Sequence, residues 1–178
     1  MNDVELDFAR WEATPPPDVL GDTIWRLPAY RLSRYLGHVV RQDVQIIRSR
    51  SPHVADQLER SVDSIGTNIS EGYGRLHGRE RARFYEFALG SAREAREWYA
   101  RAESYLQNGV AAGRGMLLTR IVKILTVAIP QERAGSSERR IRDAIERRNK
   151  AAKDNSGAPA PSTPAPAPDP ANRPSTEQ

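Results

Sequence analysis

The chain has 178 residues, 38% of them hydrophobic, with 12 glycines, 13 prolines and no cysteine. That length fits one compact domain with added segments, and the lack of cysteine excludes disulfides, thiolate metal sites and a cysteine nucleophile. The acidic N-terminus lacks the basic start and apolar run of a secretory signal, and no apolar stretch reaches the ~20 residues of a membrane span, so a cytoplasmic protein is expected.

The formal charge of +4 conceals a sharp partition. Residues 1–23 carry one arginine and six acids, residues 24–150 carry 24 bases and 14 acids, and residues 151–178 carry two bases and three acids. The positive charge therefore lies on the part expected to fold. All but three of the 27 basic residues are arginine, whose planar fork suits phosphate and carboxylate. A GC-rich genome produces the same bias.

In chain order, residues 1–23 form an acidic N-terminal arm. A first helix is predicted over 28–50, with Leu32, Leu36, Val39, Val40, Ile46 and Ile47 on its apolar face. Ser51-Pro52 starts a second helix, because Ser caps and Pro fits the first helical position. It runs to about Tyr73 through Val54, Leu58, Val62, Ile65 and Ile69, and Gly72, Gly74 and Gly78 make the turn. A third helix spans about 79–107, with Phe84, Phe87, Ala88, Ala95, Trp98, Ala102, Tyr105 and Leu106 facing inward. A fourth, about 112–129, is apolar around most of its circumference. Such a helix must be covered on more than one side, so Met116, Leu117, Leu118, Ile121, Val122, Leu125 and Ile129 are candidates for an interface with a second copy of the chain. After Pro130 comes a short basic helix over about 137–150. Residues 151–178, with seven Pro and seven Ala, bury too little to offset ordering entropy and read as a disordered tail.

No segment alternates with the period of a strand. The expected fold is all-α: an antiparallel up-down four-helix bundle over 24–133, a basic helical extension over 134–150, and the Pro/Ala-rich tail.

Chemistry is scarce. A di-iron bundle site needs Glu-x-x-His on two helices, and His38, His53 and His77 do not follow a glutamate at that spacing. Nothing places them beside a nucleophile, and no phosphate-cradling glycine loop follows a strand. No catalytic residue, metal or cofactor is expected. The second helix does carry a polar stripe beside its apolar one: Gln57, Ser61, Ser64, Asn68, Glu71 and Arg75. With Gly90, Ser91 and Glu94 on the third helix it forms either a structural polar network that fixes register or a polar pocket. The structural reading, carried by Ser61, Ser64, Asn68, Glu71, Ser91 and Glu94, is preferred.

The stretch QLERSVDSIGTNISEGYGR (57–75), followed by RARFYEFALGSAREAREWY (81–99), resembles the 23S rRNA intervening-sequence protein family. The matching positions are Ser64, Ile65, Asn68, Ile69, Glu71 and Gly72, then Gly90, Ser91 and Glu94, and the likeness covers about 24–133. The resemblance implies a four-helix bundle assembled as a homopentamer, without enzymatic activity. A related branch comprises accessory variability proteins of diversity-generating retroelements, which bind nucleic acid and a reverse transcriptase.

Three arginine groups are candidates for contact with RNA or DNA, without sequence specificity: Arg34, Arg41 and Arg48 on the first helix; Arg75, Arg79, Arg81 and Arg83 around the turn; and Arg139, Arg140, Arg142, Arg147, Arg148 and Lys150 on the terminal arm. The expected function is that of a non-enzymatic, homo-oligomeric nucleic-acid-binding accessory protein, with a reverse transcriptase or a structured RNA as partner. The alternative is an oligomeric protein–protein scaffold whose arginines serve solubility.

Overall fold

Two of the long helices begin where proline can only start one. Helix α2 (Pro28–Arg48) and helix α3 (Pro52–Tyr73) each open on a proline in the first turn, where a missing N–H costs nothing. Ser51 occupies the N-cap position of α3, but its side chain makes no capping bond. A computed structural model describes the backbone of residues 3–155 and the side chains of residues 7–135 and 145–148. It contains α1 (Asp3–Glu12), α2, α3, α4 (Gly78–Ala102) and α5 (Val110–Asn155), with single 3-10 turns at Pro17–Val19, Thr23–Arg26 and Glu103–Tyr105.

Cross-helix bonds establish the antiparallel order of α2 to α5. Arg48 at the end of α2 pairs with Asp56 and Glu59 at the start of α3, while Tyr73 at the end of α3 donates to Thr23 Oγ1, just before α2, at 2.7 Å. Midway along, Ser91 of α4 donates to Ser64 of α3 at 3.0 Å. Helix α5 starts beside the ends of α2 and α4, through Arg114 and Asp43, and later meets the start of α4 through Glu132 and Arg81. Gly109, with a φ of 86°, makes the turn into α5, a conformation that side chains with a Cβ rarely adopt.

The core differs from the expected one most on α4. Its buried positions are Ala82, Ala88, Ala92, Ala95 and Ala102, with Tyr85 and Tyr99, so small side chains bring the helix close to its neighbours. Phe84 and Trp98 are only half-buried and Phe87 is 48% exposed; the three rings lie under the guanidinium groups of Arg75, Arg101 and Arg83 respectively. On α2, Ile46 is likewise exposed rather than apolar-facing.

Helix α5 departs from expectation first in its extent. It does not stop at Ile129 and restart near Ser137, but runs through Pro130. An interior proline costs about 3 kcal/mol. The turn beyond it is held on α4 by Arg81–Glu132 at 3.0 Å and by the pair Arg133–Glu86, and a Cβ at Gly78 would collide with the Glu132 carbonyl. Tertiary contacts thus override the local break. The helix also continues through residues 151–155, which the tail was expected to include; residues 156–178 lie outside the described residues.

The second correction concerns the supposed interface. Leu117, Leu118, Ile121, Leu125 and Ile129 are buried within the chain's own core, Val122 is half-buried, and Met116 is exposed. The missing cover comes partly from the N-terminus. Instead of a free acidic arm, residues 3–26 fold onto the bundle and bury Phe8, Val19 and Ile24. The Phe8 and Trp11 rings each lie 5.4 Å from Tyr35 of α2, and Arg120 of α5 lies over Phe8. Glu12 pairs with Arg31, and Asp18 with Arg34.

The bundle belongs to a unit ending at Arg140. The second unit starts at Ile141; its described part is helical, and residues 145–148 are exposed.

One buried polar cluster joins three helices. Tyr99 of α4 donates its hydroxyl to Asp43 of α2 at 2.8 Å, and Arg114 Nε of α5 donates to the same oxygen at 3.0 Å. Burial pushes the Tyr99 hydroxyl well above its usual range, and the Asp43 charge adds to the shift. Burial also pushes Tyr85 up to about 12, with Glu132 contributing. In the unfolded chain tyrosine ionises near pH 10, so the unfolded state loses these protons first and is favoured by alkali. Stability is expected to hold up to about pH 10 and to fall as the pH rises towards about 12. Urea midpoints measured across that interval check this; a flat profile contradicts it.

Candidate nucleic-acid interface

Arginine can serve either the fold or a ligand, and neighbouring carboxylates decide which. In the turn between α3 and α4 the four arginines divide. Arg75 donates to Glu71 at 2.6 Å and lies 4.7 Å over the Phe84 ring. Arg81 donates to Glu132 at 3.0 Å and to the Arg75 carbonyl at 2.8 Å, so it latches the turn to α5. Both keep a buried Nε without a hydrogen-bond partner. Arg79 and Arg83 remain exposed on α4, one turn apart, without a carboxylate partner among the described residues. One turn further lies exposed Phe87, 5.7 Å beneath the Arg83 guanidinium. The result is a short surface stripe of two free cations and an aromatic ring.

The three arginines on α2 do not act as one row. Arg48 is held by Asp56 and Glu59, and Arg34 by Asp18 at 2.8 Å. Burial opposes the charge on Arg34, but its bonds to Asp18 and Tyr30 outweigh burial and raise its pKa. Arg41 alone is exposed and unpaired among the described residues. It lines a cleft of about 760 Å³ between α2 and α3, together with Arg34, His38, Asp63 and Glu71. On the terminal arm, Arg147 and Arg148 are exposed, whereas the side chains of Arg139, Arg140, Arg142 and Lys150 lie outside the described residues.

The polar stripe of α3 lies at its contact with α4, and its network is smaller than expected. Asn68 donates to the Ser64 carbonyl and hydroxyl at 2.8 and 2.9 Å, and Ser91 donates to Ser64. Ser61 is buried and bonds back to the Leu58 carbonyl. Glu71 and Glu94 are not members. Both are exposed, Glu71 on Arg75 and Glu94 on the Trp98 indole at 3.2 Å. Long side chains at the edge of the helix pair reach water and their own-helix neighbours more easily than the serine layer. No three His, Cys, Asp or Glu side chains among the described residues gather as a metal site, and no described helix is long and apolar enough to cross a membrane.

The Asp43–Tyr99–Arg114 cluster escaped sequence reading, although Asp43 carries a signal. It sits between Val40 and Ile47 on the apolar face of α2, where an acid is costly unless paired.

The family model for 23S rRNA-intervening sequence protein matches residues 29–127, which include the serine layer and both arginine groups of the bundle. The chain belongs to that family. A similar solved structure is a protein of the S23 ribosomal protein family from Bacteroides thetaiotaomicron VPI-5482. It is 20% identical, with a TM-score of 0.53, and the match covers 57% of this chain and 97% of that one. At that identity the likeness concerns the fold. No curated protein matches the chain. The 23S rRNA-intervening sequence match begins at the start of α2, so α1 and the two turns after it are additions to the part shared with the family.

Proposed function

We propose that this family member is a non-catalytic, homo-oligomeric accessory protein of the cytoplasm that binds nucleic acid through arginine surfaces. The observation that carries the reading is the α4 stripe of Arg79, Arg83 and Phe87, where two guanidinium groups without a carboxylate partner among the described residues are followed by an exposed ring. Cations supply phosphate contacts and a ring supplies a stacking surface, neither of which reads sequence. Exposed Arg50, Arg60, Arg93 and Lys123 extend the positive surface without a carboxylate partner among the described residues. In a ring of copies, a pentamer above all, each stripe would repeat, and a repeated phosphate-binding surface suits a structured RNA or the nucleic acid of a reverse-transcriptase complex. Exposed Val127, 58% accessible, leaves apolar surface on α5 for contact between copies.

Salt tests the reading. The logarithm of affinity should fall linearly with the logarithm of salt concentration, by about 0.9 per phosphate neutralised on duplex DNA and about 0.7 on a single strand. Arg79→Ala combined with Arg83→Ala should weaken binding uniformly across sequences and reduce that slope by about one for each phosphate left without its arginine. A protein that binds neither RNA nor DNA at low salt is not of this kind. The scaffold alternative draws support from the seven arginines that form ion pairs among the described residues, positive charge engaged within the fold. Light scattering on the pure protein measures the oligomer in either case.

A further inference from the structure

The cleft between α2 and α3 has walls of opposite sign. On the α2 side stand Arg34, His38 and Arg41; on the α3 side stand Asp63 and Glu71, with the Thr67 hydroxyl between them in sequence. Arg41 and Asp63 are exposed and have no side-chain partner among the described residues. Two glycines give the cleft its depth. A Cβ at Gly37 would meet nothing within 4 Å, and one at Gly66 would lie 3.1 Å from Ser33 Oγ. The rim is supplied by Trp11 and Pro16, from the N-terminal segment that lies outside the family match. Trp11 is fixed there, with its ring 6.4 Å from His38 and 5.7 Å from Trp25. The added segment thus turns an open helix–helix face into a walled site.

A volume of about 760 Å³ is within the usual size of a small-molecule cleft. A purely anionic ligand would suit Arg41 but be repelled by Asp63, the carboxylate of the α3 wall that no arginine holds, Glu71 being paired with Arg75; a cation would suffer the reverse. The ligand must carry negative charge at one end and hydrogen-bond donors at the other. A nucleotide does so: its phosphate matches Arg41 and His38, and the amino group of its base matches a carboxylate acceptor. We infer that this cleft holds one nucleotide unit, with its phosphate on the α2 wall and its base edge on the α3 wall. The inference rests on the nucleic-acid reading above and deepens it. A base within a duplex must first be unpaired and unstacked to enter, at a cost of a few kcal/mol, whereas a base in a single strand is already unpaired. The unit can belong to such a strand or be a free nucleotide.

Two variants probe the cleft and spare the core. Gly37→Leu fills it from an open helical position, and Arg41→Ala removes an exposed cation. The full chain and each variant are titrated with a labelled single-stranded RNA of about a dozen nucleotides, the corresponding duplex, and adenosine monophosphate observed through the His38 ring resonances. Thermal melts confirm that both variants remain folded. The expected result is a drop of about tenfold or more in single-strand affinity in both variants, the size of one charge-assisted bond, with duplex binding little changed in Gly37→Leu. If the wild type binds nucleic acid and neither variant alters single-strand binding, the cleft assignment is overturned and the surface reading stands. If no strand binds but adenosine monophosphate shifts His38 in the wild type and not in Gly37→Leu, the cleft is a free-nucleotide site and the nucleic-acid reading fails. If neither ligand binds, both fall.

Discussion

Asp43→Ala should destabilise the protein by about 3–5 kcal/mol, the range for removing one partner of a buried ion pair. The carboxylate side chain is 7% exposed and that of Arg114 16%, so after the change the guanidinium remains largely buried with no counter-charge. Burial lowers the pKa of Arg114, but the hydrogen bond and charge of Asp43 more than offset this and raise it. The Tyr99 hydroxyl loses its acceptor at the same time. Urea unfolding at neutral pH measures the loss. Pairing Asp43→Ala with Arg114→Met should recover part of it, since apolar replacement of both charges is often neutral or better. A loss below about 1 kcal/mol in the single variant would place the cluster among surface ion pairs in strength.

Leu118→Ala should cost about 2–5 kcal/mol, as expected where a fully buried leucine leaves a cavity. Leu118 is 0% exposed within one chain, among Leu117, Ile121 and Leu125. The decisive feature is concentration. A core residue destabilises the chain by the same amount at every protein concentration, whereas an interface residue changes the midpoint as concentration changes. Denaturation at several concentrations, beside mass measurements showing an unchanged oligomer, separates the two. Loss of the oligomer with the subunit's stability intact would return α5 to the role of an interface helix.

The helical framework was legible because its signals are local. Ser51-Pro52 and the glycines after Ile69 mark the bounds of α3, and apolar spacing marks α2 and α3. Where local signals misled, distant partners decided. Pro130 breaks a helix on local grounds, but Glu132 and Arg133 are held by residues of α4 far back in the chain. The aromatic residues of α4 attract attention as core, yet its alanines take the inward face because the helices approach closely there. The α2 arginines were visible as a row, but not that Asp18, Asp56 and Glu59 would claim two of them. The four arginines of the turn were visible in the sequence, but not that Glu71 and Glu132 would pair with Arg75 and Arg81 rather than with Arg79 and Arg83. The fold of residues 3–26 was missed because the density of acids concealed Phe8, Trp11, Val19 and Ile24, four anchors scattered without a helical period.

The position of Phe8 has a consequence for synthesis. Its ring meets Tyr35 of α2 and the Arg120 guanidinium of α5, one close to it in sequence and one far from it. The contacts of the segment with α2 can therefore form before α5 is made, whereas the Arg120 guanidinium reaches Phe8 only after α5 has left the exit tunnel. Until then the Phe8 ring has Trp11 and Tyr35 beside it and lacks its cation cover. Docking of the first helix on α2 is thus a step between neighbours in sequence, and its cover by α5 a long-range one.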